Sequence, residues 1–172
     1  MMERAPALPQ TTLTELHRVA PELTNAKGPY ETNLYKAFKR VETNLDRADA
    51  LVDPNVTIPK AELKSAFEDL ASTYKATGSI HSESAINTLM KKLDVLPETI
   101  PWSKFRDFKR AFFKENRIGN GPMKQAYGVL KEASNTYSGI PELADANYEY
   151  SIVRSALDEA KIHATSGIQR VS

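Results

Sequence analysis

The segment KFRDFKRAFFKENR has the residue types and spacing that are most distinctive for chemistry in this sequence. It contains six basic and two acidic residues, a local balance of +4, together with several aromatic rings. Cationic side chains contact the phosphates of a nucleic-acid strand, and an aromatic ring stacks on a base. The candidate binding face predicted from this pattern comprises Arg106, Lys109, Arg110, Phe113, Lys114 and Arg117.

Two other interpretations of this segment stay open. The basic face is either an interface with another protein or an inert solvated surface, with Phe113 covered by a neighbouring helix. Helical spacing places Phe113 on the side of Arg106 and Arg110. The same spacing puts the other aromatic residues on a stripe that is predicted to face inward: Trp102, Phe105, Phe108 and Phe112.

Two groups of carboxylates could bind a cation or perform acid–base chemistry. Glu142, Asp145 and Glu149 recur on one helical face, but they lie in the first turns, where the helix dipole favours negative charge. A second group, the aspartates at positions 46, 49 and 53, lies near the end of the first long helix, where Arg47 and solvent compensate it. An enzyme with an unrecognised acidic site therefore stays a minor alternative.

Other residues give no indication of catalysis. His17, His81 and His163 lie in separate segments without metal-ligand spacing, and the chain has no cysteine. None of the familiar nucleotide-binding, metalloprotease or hydrolase motifs is present. The sequence predicts a protein that is not an enzyme, with no catalytic residue, no cofactor and no metal site.

The composition is typical of a folded, soluble domain. Of the 172 residues, 41% are hydrophobic and 26% are charged, which is too apolar for a disordered chain. The formal charge of +1 gives no global attraction to nucleic acid or to anionic lipid. No apolar run approaches the roughly 20 residues of a transmembrane helix, so we expect a soluble protein. The sequence does not determine its compartment, and a virion and the cytoplasm both stay open.

Apolar residues recur every three or four positions along most of the chain, which predicts an all-α fold. The expected architecture is an irregular antiparallel bundle of five or six main helices plus a short N-terminal helix. No segment alternates with period two, so no sheet is predicted. The expected organisation is an N-terminal arm over 1–28, a helical bundle over 29–165 and a flexible tail over 166–172.

Three Ile-Pro dipeptides, beginning at residues 58, 100 and 140, precede three of the predicted helices at intervals of 42 and 40 residues. A hydrophobic residue just before a helix often packs on the residue five positions later. Ile58 with Leu63 and Ile100 with Phe105 have this spacing, whereas the residue five positions after Ile140 is an aspartate. The dipeptides are thus interpreted as a repeated way of beginning a helix.

Three predicted helical stretches have a recognisable pattern of residues: TIPWSKFRDFKRAFF, MKQAYGVLKEA and ELADANYEYSIV. Across 56–164 the chain resembles helical segments of large phage and prophage internal virion proteins. The resemblance implies a structural or DNA-ejection role, with no catalytic residues to carry over, and a chain that is a fragment or a compact relative.

The leading hypothesis is a non-enzymatic structural or protein-interaction module, with a protein partner or self-association. The alternative is a nucleic-acid-binding module that uses the basic helix 102–117.

Overall fold

The computed structural model describes residues 10–24, 28–116 and 121–171. Within these ranges it describes the side chains of residues 13 to 160. The described chain contains eight helices. They are α1 (Gln10–Val19), α2 (Pro21–Thr24), α3 (Tyr30–Ala50), α4 (Lys60–Ala76), α5 (Ile80–Asp94), α6 (Trp102–Glu115), α7 (Gly121–Ser138) and α8 (Pro141–Val171). The all-α fold class predicted from the apolar periodicity is confirmed.

The prediction that the chain has no sheet is wrong. Thr57–Pro59 (β1) and Thr99–Pro101 (β2) pair antiparallel, with Ile58 opposite Ile100 at the centre. Each strand is the tripeptide Thr-Ile-Pro, which is too short to show alternation in the sequence. A residue before proline is restricted to extended conformations, so each isoleucine is already suited to a strand. The third dipeptide, Ile140-Pro141, precedes α8 without forming a strand.

The paired strands also satisfy the first backbone groups of two helices. The N–H of Lys60, the first residue of α4, donates to the carbonyl of Glu98 at 2.9 Å. In the equivalent bond at the start of α6, the N–H of Trp102 donates to the carbonyl of Val56 at 2.9 Å. Helix N-termini leave several N–H groups without a partner inside the helix. Here the residue just before the opposite strand supplies the acceptor in each case, and no capping side chain bonds at either start.

A glycine ends α4. Gly78 has a φ of 75°, a conformation that strains other residues. Its N–H donates to the carbonyl of Lys75, and the N–H of Ser79 donates to that of Tyr74. These two bonds form a Schellman motif, which terminates the helix and turns the chain towards α5.

The structure divides into two compact units, whereas the sequence predicted one bundle with an arm and a tail. Unit 1 comprises 1–47 with 145–172, and unit 2 comprises 48–144, so α3 and α8 contribute residues to both. Residues 166–171 continue α8, and residues 1–9 lie outside the described residues. In unit 2, α4 packs mainly on α5, and α7 packs on both.

Each unit has its own apolar core. The large buried side chains of unit 1 are Leu16, Val19, Leu34, Val41, Leu45, Tyr150, Val153 and Leu157. Those of unit 2 include Ile58, Leu63, Phe67, Ile86, Leu93, Ile100, Trp102, Phe105, Phe112, Phe113, Tyr127 and Leu130. The two hydrophobic pairs predicted at helix starts are therefore buried: Ile58 with Leu63, and Ile100 with Phe105.

Candidate functional site

The candidate binding face does not form one exposed surface. Lys109 is completely buried and Phe113 is only 2% exposed, so the expectation that both face a ligand in solvent is wrong. Arg110 is half-buried, whereas Arg106 and Lys114 keep substantial exposure. Arg117 lies outside the described residues.

Lys109 and Arg110 both point to a buried carboxylate. Arg110 Nη2 donates to Asp49 Oδ2 at 2.7 Å, and Lys109 Nζ lies 3.6 Å from Asp49 Oδ1. Lys109 Nζ also donates to the buried hydroxyl of Ser134 at 3.2 Å. Burying a charge is costly unless it is paired and hydrogen-bonded. These contacts explain how α6 places a lysine in the core of unit 2.

The position of Asp49 in the sequence is a signal for this cluster. Asp49 lies in the last turn of α3, where the helix dipole disfavours a carboxylate. We attributed its compensation to Arg47 and solvent, but Asp49 is only 2% exposed and its partners come from α6. An acid in this unfavourable position indicates a cation from another helix.

Two phenylalanines exchange the roles that helical spacing assigned to them. Phe113 packs against Tyr127 of α7, with ring centroids 4.9 Å apart, and so belongs to the core. Phe108, predicted to face inward, is half-exposed and lines a shallow groove of about 100 Å³ between α5 and α6. The sequence had allowed for a covered Phe113, and the neighbouring helix that covers it is α7.

A larger groove of about 280 Å³ lies between α4 and α7 in unit 2. Its lining is mainly apolar, with one glutamate from each helix. The residues that matter for its chemistry are Glu62, Ala66, Val129, Glu132, Ala133 and Tyr137. None of them was predicted as a site residue, because small apolar residues such as Ala66 are indistinguishable from core residues in a sequence.

Glu62 and Glu132 give the groove an acidic character. Neither carboxylate forms an ion pair within the described part of the molecule, and both side chains are exposed. Nearby lysines of α4 are engaged elsewhere: Lys60 contacts Glu98 at 3.4 Å and Lys64 contacts Asp94 at 3.3 Å. The groove therefore combines apolar walls with two uncompensated negative charges.

The connections before the two strands do not supply a calcium site. Helix–loop–helix calcium sites take oxygen ligands from alternating loop positions and a glycine at the turn. Residues 51–56 contain one carboxylate, Asp53, which accepts a hydrogen bond from the N–H of Asn55. Residues 95–98 contain only Glu98, which pairs with Lys60. Neither connection has the ligand set.

The carboxylate groups and the histidines are the remaining side chains that could bind a metal ion. Across the described ranges, no group of three or more His, Cys, Asp or Glu residues is arranged to hold a metal ion. His17 and His81 are exposed, and the side chain of His163 lies outside the described residues. None of the described helices combines the length and apolar character needed to span a bilayer.

Unit 1 contains polar contacts at its helix surfaces. Arg40 binds Glu22 through two hydrogen bonds of 2.7 and 3.1 Å, and it also donates to the carbonyl of Val19. The bond from Arg40 lowers the pKa of Glu22. Tyr148 donates to Glu15 at 2.8 Å, which raises the pKa of the phenol. These contacts join α3 to α2 and α8 to α1. Among the described residues of unit 1 they do not line a cavity.

Comparisons with protein-family models, with curated proteins and with solved structures find no match to this chain.

Proposed function

We propose that the chain is a non-enzymatic protein-interaction module that binds an apolar helix with basic flanks in the α4–α7 groove. The observation that carries this proposal is the pair of uncompensated carboxylates, Glu62 and Glu132, on opposite walls of an apolar groove. Helix-in-groove binding buries apolar anchor residues and uses the charged rim for orientation.

The size of the groove favours a protein ligand over a small molecule. Pockets for small molecules usually have volumes of about 300 to 1,000 Å³ and surround the ligand. The α4–α7 groove has about 280 Å³, at the lower end of this range, and it is open to solvent, so it would not surround a small molecule. Such a space suits one or two large side chains projecting from a partner helix.

Binding of a designed helix tests the proposal. The probe is an amphipathic helix with leucines on one face and lysines on its flanks, and its matched control carries glutamates in place of the lysines. We expect the lysine-flanked helix to shift the NMR resonances of Ala66, Val129 and Ala133, and the glutamate-flanked helix to leave them unchanged. Equal shifts with both helices, or shifts elsewhere on the chain, would contradict the proposal.

Charge reversal identifies the residues responsible. The double variant Glu62→Lys with Glu132→Lys should lose binding, because like charges facing each other in an interface cost several kcal/mol. Glu68→Lys provides the matched control, since Glu68 is exposed on the same helix but does not line the groove. Binding by this control should equal that of the wild type.

The resemblance of 56–164 to internal virion proteins supports a virion as the setting for such a module. Detection of the chain in purified particles by mass spectrometry tests that setting. The nucleic-acid alternative loses support because Lys109 and Phe113, two of its six residues, are buried.

A further inference from the structure

We propose that the partner bound in the α4–α7 groove is a second copy of this chain, which presents the exposed side of α6. This inference rests on the proposed function of the groove and names its ligand. We call the residues Lys104, Phe108, Ala111 and Lys114 the α6 face.

The α6 face has the apolar anchor that the groove requires. Lys104, Phe108 and Ala111 are spaced by four and three residues, so they lie on one stripe of the helix. Phe108 is half-exposed and Ala111 is exposed. Aromatic residues that fill a pocket near the centre of an interface contribute much of the binding energy. Phe108 is suited to this role.

Lys104 and Lys114 provide the charge that matches the groove. Both are exposed, and neither forms an ion pair among the described residues. The other charges near them are already compensated: Arg106 lies 3.7 Å from Asp107, and Lys92 lies 2.9 Å from Glu115. Two uncompensated lysines on the α6 face thus correspond to two uncompensated glutamates in the groove.

The strand pairing shows that the two surfaces use equivalent positions. Because Ile58 pairs with Ile100, the residues four positions later, Glu62 and Lys104, are equivalent. Ala66 and Phe108, eight positions after the isoleucines, are equivalent too. One position is acidic in α4 and basic in α6, and the other is small in α4 and large in α6. The two helices thus present complementary surfaces.

A contact between two different surfaces of the same chain is heterologous. It continues from copy to copy, as a ring or a filament, unless the geometry closes it at two copies. Each copy in the middle of such an assembly uses its groove and its α6 face at the same time. Mutations can therefore remove the groove or the α6 face separately, and each change leaves the other surface intact.

A mixing experiment tests this proposal on the full chain. The groove variant carries Glu62→Lys and Glu132→Lys, and the face variant carries Lys104→Ala and Phe108→Ala, so that the altered groove and the altered face do not complement each other in charge. In sedimentation velocity, the wild type should associate as its concentration rises, and each variant alone should associate at least about tenfold more weakly. An equimolar mixture should form a dimer and stop there, because the face variant keeps an intact groove and the groove variant keeps an intact α6 face.

The outcomes separate this proposal from the function on which it rests. A wild type that stays monomeric at every concentration, while its groove still binds the lysine-flanked helix, overturns self-association and leaves the proposed function standing. Failure of the groove to bind that helix overturns the function itself. Circular dichroism of both variants checks that their helices are intact, and Glu68→Lys should associate as the wild type does.

Discussion

The helices α4 and α6 begin in the same way and then diverge, which makes them an internal comparison. Both follow a Thr-Ile-Pro strand, and in both the first N–H donates to the carbonyl of the residue just before the opposite strand. Nine residues after the paired isoleucines, α4 has Phe67 and α6 has Lys109, and both side chains are 0% exposed. Equivalent positions in the two helices therefore hold a phenyl ring in one case and an ammonium group in the other.

This difference shows that the strand pair and the side chains after it have separate effects. The paired strands determine where the two helices begin. What each helix then buries depends on its partners: Phe67 belongs to the apolar core, whereas Lys109 requires Asp49 and Ser134. A buried charge with such partners is tolerated in the native state, but losing one partner is far more costly than losing an exposed ion pair.

The largest expected effect comes from the first residue of each helix, where α6 has Trp102 and α4 has Lys60. Trp102 is buried and packs on Phe105, with ring centroids 5.4 Å apart. We expect Trp102→Ala to lower the free energy of unfolding by about 3 to 5 kcal/mol, because truncation of a buried aromatic leaves a cavity. Urea denaturation followed by circular dichroism measures the change.

Lys60→Ala is the matched substitution in α4. Lys60 Nζ donates to the carbonyls of Asp94 and Leu96 at 3.3 and 2.9 Å, and its loss should cost about 1 to 2 kcal/mol. Trp102→Phe is a second control, since the indole N–H of Trp102 has no hydrogen-bond partner among the described residues and the phenyl ring keeps much of the packing. Equal costs for Trp102→Ala and Lys60→Ala would mean that the two helix starts are energetically alike, contrary to the comparison.

The second prediction concerns the buried charges that distinguish α6. Asp49→Asn removes the negative charge that faces both Lys109 and Arg110, so the two neighbouring positive charges are no longer balanced by this carboxylate. We expect the free energy of unfolding to fall by about 3 kcal/mol, the cost of breaking a buried ion pair by removing one partner. Thermal unfolding at neutral pH provides the measurement.

Lys109→Met separates the charge from the volume of the side chain. This substitution keeps a long side chain in the core, and Asp49 keeps its 2.7 Å bond from Arg110. Because Arg110 still pairs with Asp49, the buried carboxylate keeps an opposite charge, so we expect a loss of only about 1 kcal/mol, smaller than that of Asp49→Asn. A loss as large as that of Asp49→Asn would show that the ammonium group itself stabilises the fold.

The helices could be predicted from the sequence because their signals are local. Apolar spacing every three or four residues predicts the all-α fold, and the basic helix expected over 102–117 corresponds to α6 (Trp102–Glu115). The strand pair was missed because its signal is not local: each Thr-Ile-Pro tripeptide looks like the start of a helix, and the two pair only when distant parts of the chain meet. The repetition of the tripeptide was visible, but its structural meaning was not.

The candidate site was harder to predict for a related reason. Charge along α6 was visible in the sequence, but the burial of Lys109 depends on Asp49, which lies 60 positions earlier. The groove depends on small residues of α4 and α7 coming together, and alanines alone do not distinguish a groove from a core. Pairwise contacts between distant segments decide both features.

The smallest expected effect is in unit 1, where an ion pair at the helix surface contrasts with the buried charges of α6. The hydrogen bond from Arg40 lowers the pKa of Glu22 below its ordinary value of 4.5. The pair therefore stabilises the fold fully above pH 4.5, and this contribution disappears as the pH falls through the lowered pKa. Both side chains are partly exposed, so solvent screening limits the effect to about 1 kcal/mol or less.

Glu22→Gln should thus lower the thermal midpoint slightly at neutral pH, and the difference from the wild type should shrink as the pH is lowered below 4.5. Circular dichroism melting curves at a series of pH values measure this difference. Glu68→Gln is the control, because Glu68 is exposed and forms no ion pair among the described residues. A Glu22→Gln difference that stays constant with pH would mean that the side chain stabilises unit 1 by packing and not by its charge.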